Sequence, residues 1–344
     1  MDRNNAGDSI RSIKKGSQKG TVDRRRIVIT AVVVSIAIVA VAWYVLVAAN
    51  NPSGPEIVRV DGSSTVFPIT SAWATEFNNE KRQVVVAFSG TGGGFQKFCR
   101  GETQLSDASR PIKQSELDMC TQNGISGVTE FKIAYDGISV VVPIGNTWVQ
   151  HLTVKQLCRI WTSNESAGAC GGEGPRVTKW SELNSSWPDQ TIRLFGPGTD
   201  SGTFDYFKEV ILTPTKDPIT DQFFPSEDDN VLVQAISNEP NYLGYFGYAY
   251  VHENTDKIRA VAIDDEKNGD GPVMPTSETI KDGSYAPLSR PLFVYASAKS
   301  LESQVVKDFL RFGYSARGHD LINLTGYVPL DQTEMTAQLA KIPG

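Results

Sequence analysis

Three segments of the sequence share one pattern: a short apolar strand, then a turn rich in Gly, Ser and Thr, then an amphipathic helix. The turns lie at 61–65, 89–94 and 196–203, and the helix after the second turn is expected to begin only at Phe95. Strands that alternate with helices in this way predict an open, mostly parallel α/β architecture. Further strands are expected at 137–143, 258–263 and 291–295, and a last helix over 301–312.

These turns are suited to binding an anion. The N-terminus of a helix carries unpaired backbone N–H groups and about half a positive charge. Glycine lets the backbone approach a ligand closely, and Ser and Thr hydroxyls add donors at the same place. A single turn of this kind is also an ordinary helix cap. Because the carboxyl ends of the strands in an open α/β sheet lie where ligands collect, the three turns together predict an oxyanion site.

A fourth segment, 105–112, adds two charged groups. Arg110 can donate two N–H groups to an oxyanion. Asp107 suits such a site only if the ligand carries a proton that the carboxylate can accept. Phosphate near pH 7 carries one and sulfate does not, so this carboxylate would discriminate against sulfate. Taken alone, the segment also fits an Asp–Arg pair in a surface turn.

The charge balance excludes several other classes of function. The chain has 33 Lys and Arg against 39 Asp and Glu, a formal net charge of −6. This acidic balance argues against binding to nucleic acid, and it means that an anion would have to be held by local dipoles and a few placed groups. The three His and four Cys do not have metal-ligand spacing, so neither a metal nor a cofactor is expected.

The N-terminal residues form a separate region. Residues 1–26 are a basic tail, and residues 27–49 form an uncharged apolar run of 23 residues. As a helix this run would be about 34 Å long, enough to cross a bilayer. Arg24, Arg25 and Arg26 precede it, so the positive-inside rule places the N-terminus in the cytoplasm and the rest outside.

We therefore expect a membrane-anchored protein on the periplasmic or extracellular face of the plasma membrane. Residues 50–55 would be a linker. A cleaved signal peptide is the alternative, because residues 47–49 are an acceptable cleavage site.

All four cysteines follow the apolar run, and in an oxidising compartment they are expected to form disulfides. The local pairing is Cys99–Cys120 and Cys158–Cys170. Four cysteines allow three connectivities, and buried free thiols are a further alternative.

Several motifs together resemble the phosphate-binding proteins of ABC transporters, the PstS family. The resemblance covers about residues 56–330, through the segments 61–69, 90–95, 106–112, 134–137, 195–207, 243–248 and 287–292. It implies a two-lobed type II periplasmic-binding-protein fold of two open α/β domains that close on phosphate around a hinge. One lobe would be 56–137 with 288–344, and the other 138–287. It also implies a monomer that delivers phosphate to the permease subunits of an ABC transporter.

The resemblance also implies which residues contact phosphate. Some members have an arginine at the position of Pro197, and Arg110 is the expected substitute here. Asp107 would accept the proton of the ligand. The other implied contacts are Ser64, Thr65, Val66, Thr91, Ser201, Gly202 and Thr203.

Other functions remain open at this stage. A membrane-tethered phosphate sensor or scavenger would use the same site, as would a binding protein for sulfate, molybdate or tungstate. An enzyme is not expected. Ser201 lacks the Gly-x-Ser-x-Gly context of a hydrolase, and the glycines near Thr91 do not complete a dinucleotide fingerprint. The acidic stretch 264–270 lacks the closing glutamate of a calcium loop.

Overall fold

The computed structural model describes residues 36–43, 54–199, 201–226, 228–267 and 269–344. It divides into two compact units, Met1–Gly54 and Pro55–Gly344. In the first unit residues 36–43 are helical, while the predicted basic tail, the remainder of the predicted span and linker residues 50–53 lie outside the described residues. Within the described ranges, no helix combines the length and apolar character that crossing a membrane requires.

The second unit alternates strands and helices along the chain. Its described strands are β1 (Glu56–Gly62), β2 (Arg82–Val86), β3 (Leu105–Ala108), β4 (Thr129–Pro143), β5 (His151–Thr153), β6 (Arg193–Pro197), β7 (Phe224–Ser226), β8 (Tyr242–Gly247), β9 (Ile258–Ala260), β10 (Ala262–Asp264), β11 (Ser289–Ala296) and β12 (Val328–Pro329). Its described α-helices are α1 (Phe67–Phe77), α2 (Gly90–Cys99), α3 (Gln114–Gln122), α4 (Val154–Trp161), α5 (Ala169–Gly172), α6 (Gly202–Ile211), α7 (Asp229–Ile236), α8 (Tyr248–Glu253), α9 (Ser277–Lys281), α10 (Gln304–Gly313), α11 (Ala316–Leu324) and α12 (Gln332–Leu339).

Strand β4 runs through two groups of strands. The strand order is β2-β1-β3-β11-β4-β8-β6-β7. The first half of β4 pairs with β11 up to Gly137, and its second half pairs with β8 from Ile138 onward. The chain thus forms two α/β lobes. Strand β4 contributes to both, while β11 pairs, among the described strands, only with β3 and with the first half of β4. A register shift interrupts the β11–β4 pairing between Leu292 and Phe293. The predicted lobe limits at 137/138 and 287/288 remain a proposal.

The sheets are mixed, so the expectation of a mostly parallel architecture is wrong. Of the ten strand pairings within the described residues, five are parallel and five antiparallel. The reason is that β4 pairs antiparallel with each of its four described neighbours, β8, β9, β11 and β12, and that β11 also pairs antiparallel with β3. Antiparallel pairing needs no helical crossover.

Some element boundaries also differ from those expected. Helix α2 begins at Gly90 instead of Phe95, so most of the second turn is helical. The strand expected at 258–263 is two short strands in different sheets. The last helix expected at 301–312 is a 3₁₀ turn at Ser300–Glu302 followed by α10, and it is not the last, because α11 and α12 follow it.

Aromatic side chains form the cores on both sides of β4. Trp73 and Phe77 of α1 both contact Phe309 of α10, with ring centroids 6.0 and 5.3 Å apart. On the other side, Phe207 of α6 stacks on Tyr245 of β8 with centroids 3.9 Å apart. These rings are fully or almost fully buried, so each helix is fixed to its own lobe.

Two disulfides join Cys99 to Cys120 and Cys158 to Cys170, which is the local pairing expected from the sequence. The second disulfide lies beside Asp217, whose carboxylate accepts a hydrogen bond from the Cys170 backbone N–H at 2.7 Å. These three side chains lie close enough together to bind a metal ion, but a disulfide leaves no thiolate to do so.

We predict that Gly94→Ala destabilises the protein, because α2 packs closely against β1. A Cβ at Gly94 would lie 2.4 Å from the Cα of Gly62, and overpacking of this kind costs about 1–3 kcal/mol. The matched control is Gly92→Ala in the same helix, where a Cβ would lie 3.9 Å from an Arg110 nitrogen. Urea unfolding measures both variants. Equal stabilities would contradict the close-packing argument.

Candidate functional site

The first and third turns of the sequence meet in the structure. The Thr65 hydroxyl lies 3.4 Å from the Gly202 carbonyl oxygen, to which it donates. A Cβ at Gly202 would lie only 2.6 Å from the Cα of Thr65, so this approach requires glycine. Two helix N-termini, those of α1 and α6, therefore lie side by side across the two lobes. Their positive ends favour an anion there.

A cleft of about 180 Å³ lies beside this contact. Four of the residues predicted from the sequence line it: Ser64, Thr65, Thr91 and Arg110. The sequence reasoning did not assign seven others, which are Ser63, Gly90, Ser109, Asp205, Tyr206, Glu209 and Arg290. Asp205 and Glu209 are spaced i, i+4 on the helix after the third turn, so the sequence alone already places both carboxylates on one face of that helix. The cleft suits a small, polar and charged ligand.

Hydroxyl groups on the first lobe are tied to one another. The Thr91 and Ser109 hydroxyl oxygens are 3.1 Å apart, and the Ser109 backbone N–H donates to Thr91 Oγ1 at 3.2 Å. The underlying β1 is tied to α2 because Lys97 Nζ and the Ser89 hydroxyl donate to the two carboxylate oxygens of Asp61, at 2.6 and 2.5 Å. The hydroxyls from the second turn and from the end of β3 therefore have fixed positions.

The remaining residues predicted at the site do not line the cleft. Val66 is fully buried, and its backbone N–H donates to the Ser63 carbonyl. Ser201 is the N-cap of α6, and its side-chain oxygen accepts from the Thr203 backbone N–H at 3.2 Å. Ser201, Gly202 and Thr203 are half-buried where α6 meets Thr65.

Asp107 lies beneath the cleft and does not line it. Its side chain is fully buried, and Oδ2 accepts from the Thr70 hydroxyl at 2.6 Å. Oδ1 is buried without a hydrogen-bond partner among the described residues. Desolvation raises the pKa of Asp107 to about 7. The reason for this depth is that Asp107 lies within β3, while the residues after this strand reach the cleft.

The two arginines of the cleft have different partners. Arg110 forms a bidentate pair with Glu116, with Nη1 and Nη2 donating at 2.9 and 2.8 Å. Arg290 donates from Nη2 to the Thr65 hydroxyl at 3.0 Å. Its Nε and Nη1 donate to Asp136 and Glu209 at 3.3 and 3.4 Å. Both cations are therefore beside carboxylates, but only Arg290 bonds a predicted ligand contact.

The cleft also contains carboxylates from α6. Asp205 and Glu209 both line it, and each is largely exposed. Desolvation raises the pKa of Asp205 above its usual value, and the negative charge of Glu209 adds to this effect. An anion without a proton would be repelled by these side chains, whereas a protonated anion could donate a hydrogen bond to one of them.

Comparisons with known proteins agree on one family. Residues 49–317 match the PBP superfamily domain. The chain is 41% identical over 278 residues to protein SphX of Synechocystis sp., covering 80% of this chain and 79% of that protein. It is 35% identical over 297 residues to the phosphate-binding protein PstS of Staphylococcus saprophyticus, covering 86% of both.

A solved structure gives the same result. The crystal structure of a possible phosphate binding protein from Planctomyces limnophilus matches with a TM-score of 0.75 and 40% identity. The match covers 85% of this chain and 100% of that one. The similarity therefore extends over both lobes.

We predict that Asp107 makes stability depend on pH. Its folded-state pKa of about 7 is above the ordinary value of 3.8, so folding favours the protonated form. This contribution is complete below about pH 4 and is lost as the pH rises through about 7. Asp107→Asn, whose amide oxygen can still accept from Thr70, should remove that part of the pH dependence and be the more stable protein at about pH 8.

Urea unfolding at a series of pH values in phosphate-free buffer measures this effect. Parallel stability curves for wild type and Asp107→Asn would show that the carboxyl is not perturbed by its burial.

Proposed function

Since this chain belongs to the PBP superfamily and, within it, to the PstS family of phosphate-binding proteins, we propose that it binds inorganic phosphate between its lobes and delivers it to an ABC-type permease. The observation that carries the proposal is the meeting of the α1 and α6 N-termini at Thr65 and Gly202. Beside this contact lies a small cleft lined from both lobes, by Ser64, Thr65 and Thr91 on one and by Asp205, Tyr206 and Glu209 on the other.

The proposed ligand contacts come from both lobes. The first lobe contributes the hydroxyls of Ser64, Thr65 and Thr91. The second lobe contributes the N-terminal turn of α6, at residues 201–203, whose positive end favours the anion. Because one ligand would bridge both lobes, binding and hinge closure are coupled.

We further propose that Asp205 accepts the proton of hydrogen phosphate. The sequence reasoning gave this role to Asp107, which is buried beneath the cleft, whereas Asp205 lines it. A carboxylate acceptor pairs with the P–OH group and leaves sulfate facing an unpaired negative charge. This places the selectivity for phosphate on the second lobe.

Isothermal titration with phosphate and with sulfate tests the function and its selectivity. Wild type should bind phosphate and reject sulfate. Asp205→Asn should bind phosphate more weakly and reduce the preference over sulfate by about tenfold or more, because it removes the acceptor. Asp107→Asn is the matched control and should retain the wild-type preference.

Two results would contradict these proposals. A wild-type protein that binds no phosphate, or binds sulfate as well, would end the phosphate assignment. If instead Asp107→Asn lost the preference and Asp205→Asn kept it, the acceptor would be Asp107, as the sequence predicted.

We also propose that residues 27–49 anchor the protein in the membrane, with the binding unit outside the cytoplasm. The support is the uncharged run itself, with the arginines before it, and the two disulfides, which are typical of exported proteins. The permease lies in the same membrane, so a tether would keep the binding protein close to it.

Fractionation of cells tests the anchor. The full chain should stay in the membrane fraction after an alkaline carbonate wash, and a chain lacking residues 27–49 should not reach the outer face. A soluble exported protein that begins at Asn50 would show instead that the segment is a cleaved signal peptide.

A further inference from the structure

We propose that Arg290 is the positively charged residue that contacts the phosphate, and that Asp136 is the positioning residue for its guanidinium. This inference rests on the proposed phosphate site and deepens it. It assigns to a strand at the lobe crossing the role that the sequence reasoning gave to Arg110.

The hydrogen bonds of Arg290 aim it at the anion site. Its Nη2 donates to Thr65 Oγ1 at 3.0 Å, and Thr65 precedes the first turn of α1 and contacts the first residue of α6. A ligand held by these helix ends lies within reach of the same guanidinium edge. The Arg290 side chain is only 12% exposed, so its charge is poorly screened by water.

Arg110 is less available for this role. Its two terminal nitrogens are both held by the Glu116 carboxylate at 2.8 and 2.9 Å. Glu116 also accepts from the Lys113 backbone N–H at 2.8 Å, as part of the cap of α3. Binding a phosphate through Arg110 would mean breaking a bidentate pair and disturbing a helix cap.

The acidic partners of Arg290 differ from each other in burial. Asp136 is its direct cross-strand neighbour between β4 and β11, and its side chain is 3% exposed. Glu209 is 3.4 Å from Nη1, and its side chain is 60% exposed. A buried partner fixes the guanidinium, while a distant and solvated one is weakly held. Phosphate can therefore replace Glu209 at Nη1 while Asp136 keeps hold of Nε.

The guanidinium also connects the lobes. Arg290 belongs to β11, yet its guanidinium carbon lies 3.4 Å from the ring centroid of Tyr206 on α6. The Tyr206 hydroxyl in turn donates to the Pro287 carbonyl at 2.8 Å. Stacking on an aromatic face holds a cation without using its N–H donors. The Nη1 and Nη2 donors of Arg290, which bond cleft residues Glu209 and Thr65, thus remain directed at the cleft when α6 packs against the guanidinium.

Titration of the full chain with phosphate tests the inference. Arg290→Gln should weaken binding by about 100-fold, because it removes a poorly solvated charge contact. The matched control Arg110→Gln should weaken it by less than about fivefold. Since Arg290→Gln leaves Asp136 buried without its cation, the double variant Arg290→Gln/Asp136→Asn, checked by thermal unfolding, provides a folded protein that should show the same loss.

A double-mutant cycle separates positioning from a structural role of Asp136. Asp136→Asn should weaken phosphate binding in the wild-type background and have no further effect once Arg290 is Gln. Additive effects would show that Asp136 does not act through Arg290.

The outcomes also distinguish this inference from the proposed function. If wild type binds phosphate and the folded double variant binds within about threefold of it, Arg290 is not a ligand and only this inference fails. The same holds if Arg110→Gln causes the larger loss. If wild type itself binds no phosphate, the proposed function fails and takes the inference with it.

Discussion

The N-termini of α1 and α6 meet at the contact between Thr65 and Gly202, and the proposed site is arranged around it. Neither helix is held there by the contact itself. Helix α1 is fixed by Trp73 against α10, and α6 is fixed by Phe207 against β8. The separation of the two helix ends is therefore set by the aromatic packing that fixes each helix to its own lobe. The proposed anion site thus depends on core packing in both lobes as well as on its turns.

The electrostatics of the cleft work against the charge of the whole chain. The protein carries a net negative charge, and each arginine of the cleft has a carboxylate beside it. Any net attraction for an anion must then come from short-range geometry, namely helix ends, hydroxyls and a guanidinium with a weakly held partner. Such a site attracts anions only weakly through net charge. It favours a ligand whose own donors and acceptors match the mixed charges around it.

The sequence predicted the order of turns and helices better than it predicted which residues are buried or make long-range contacts. The turn at 61–65, the turn at 196–203 and the helices after them could be found because each combines a local pattern with local chemistry. The second turn was predicted too long, because the helix begins at Gly90. Gly94 lies within this helix and packs closely against Gly62 of β1, and a contact between two separate elements gives no local sequence pattern. The expected role of Asp107 came from its residue type alone, whereas the burial of its side chain depends on Thr70 of α1, which no local pattern indicates. Arg290 was assigned no role, as it meets Thr65 across 225 positions of chain.

The passage of β4 through both lobes has a mechanical consequence. The strand continues from its pairing with β11 in one lobe directly into its pairing with β8 in the other, so this connection is a hydrogen-bonded strand and not a loose loop. Rotation of one lobe against the other would have to be accommodated as bending and twisting of β4 around residues 137–138, where its partner changes. A paired strand restricts the directions of such a rotation far more than a flexible loop would.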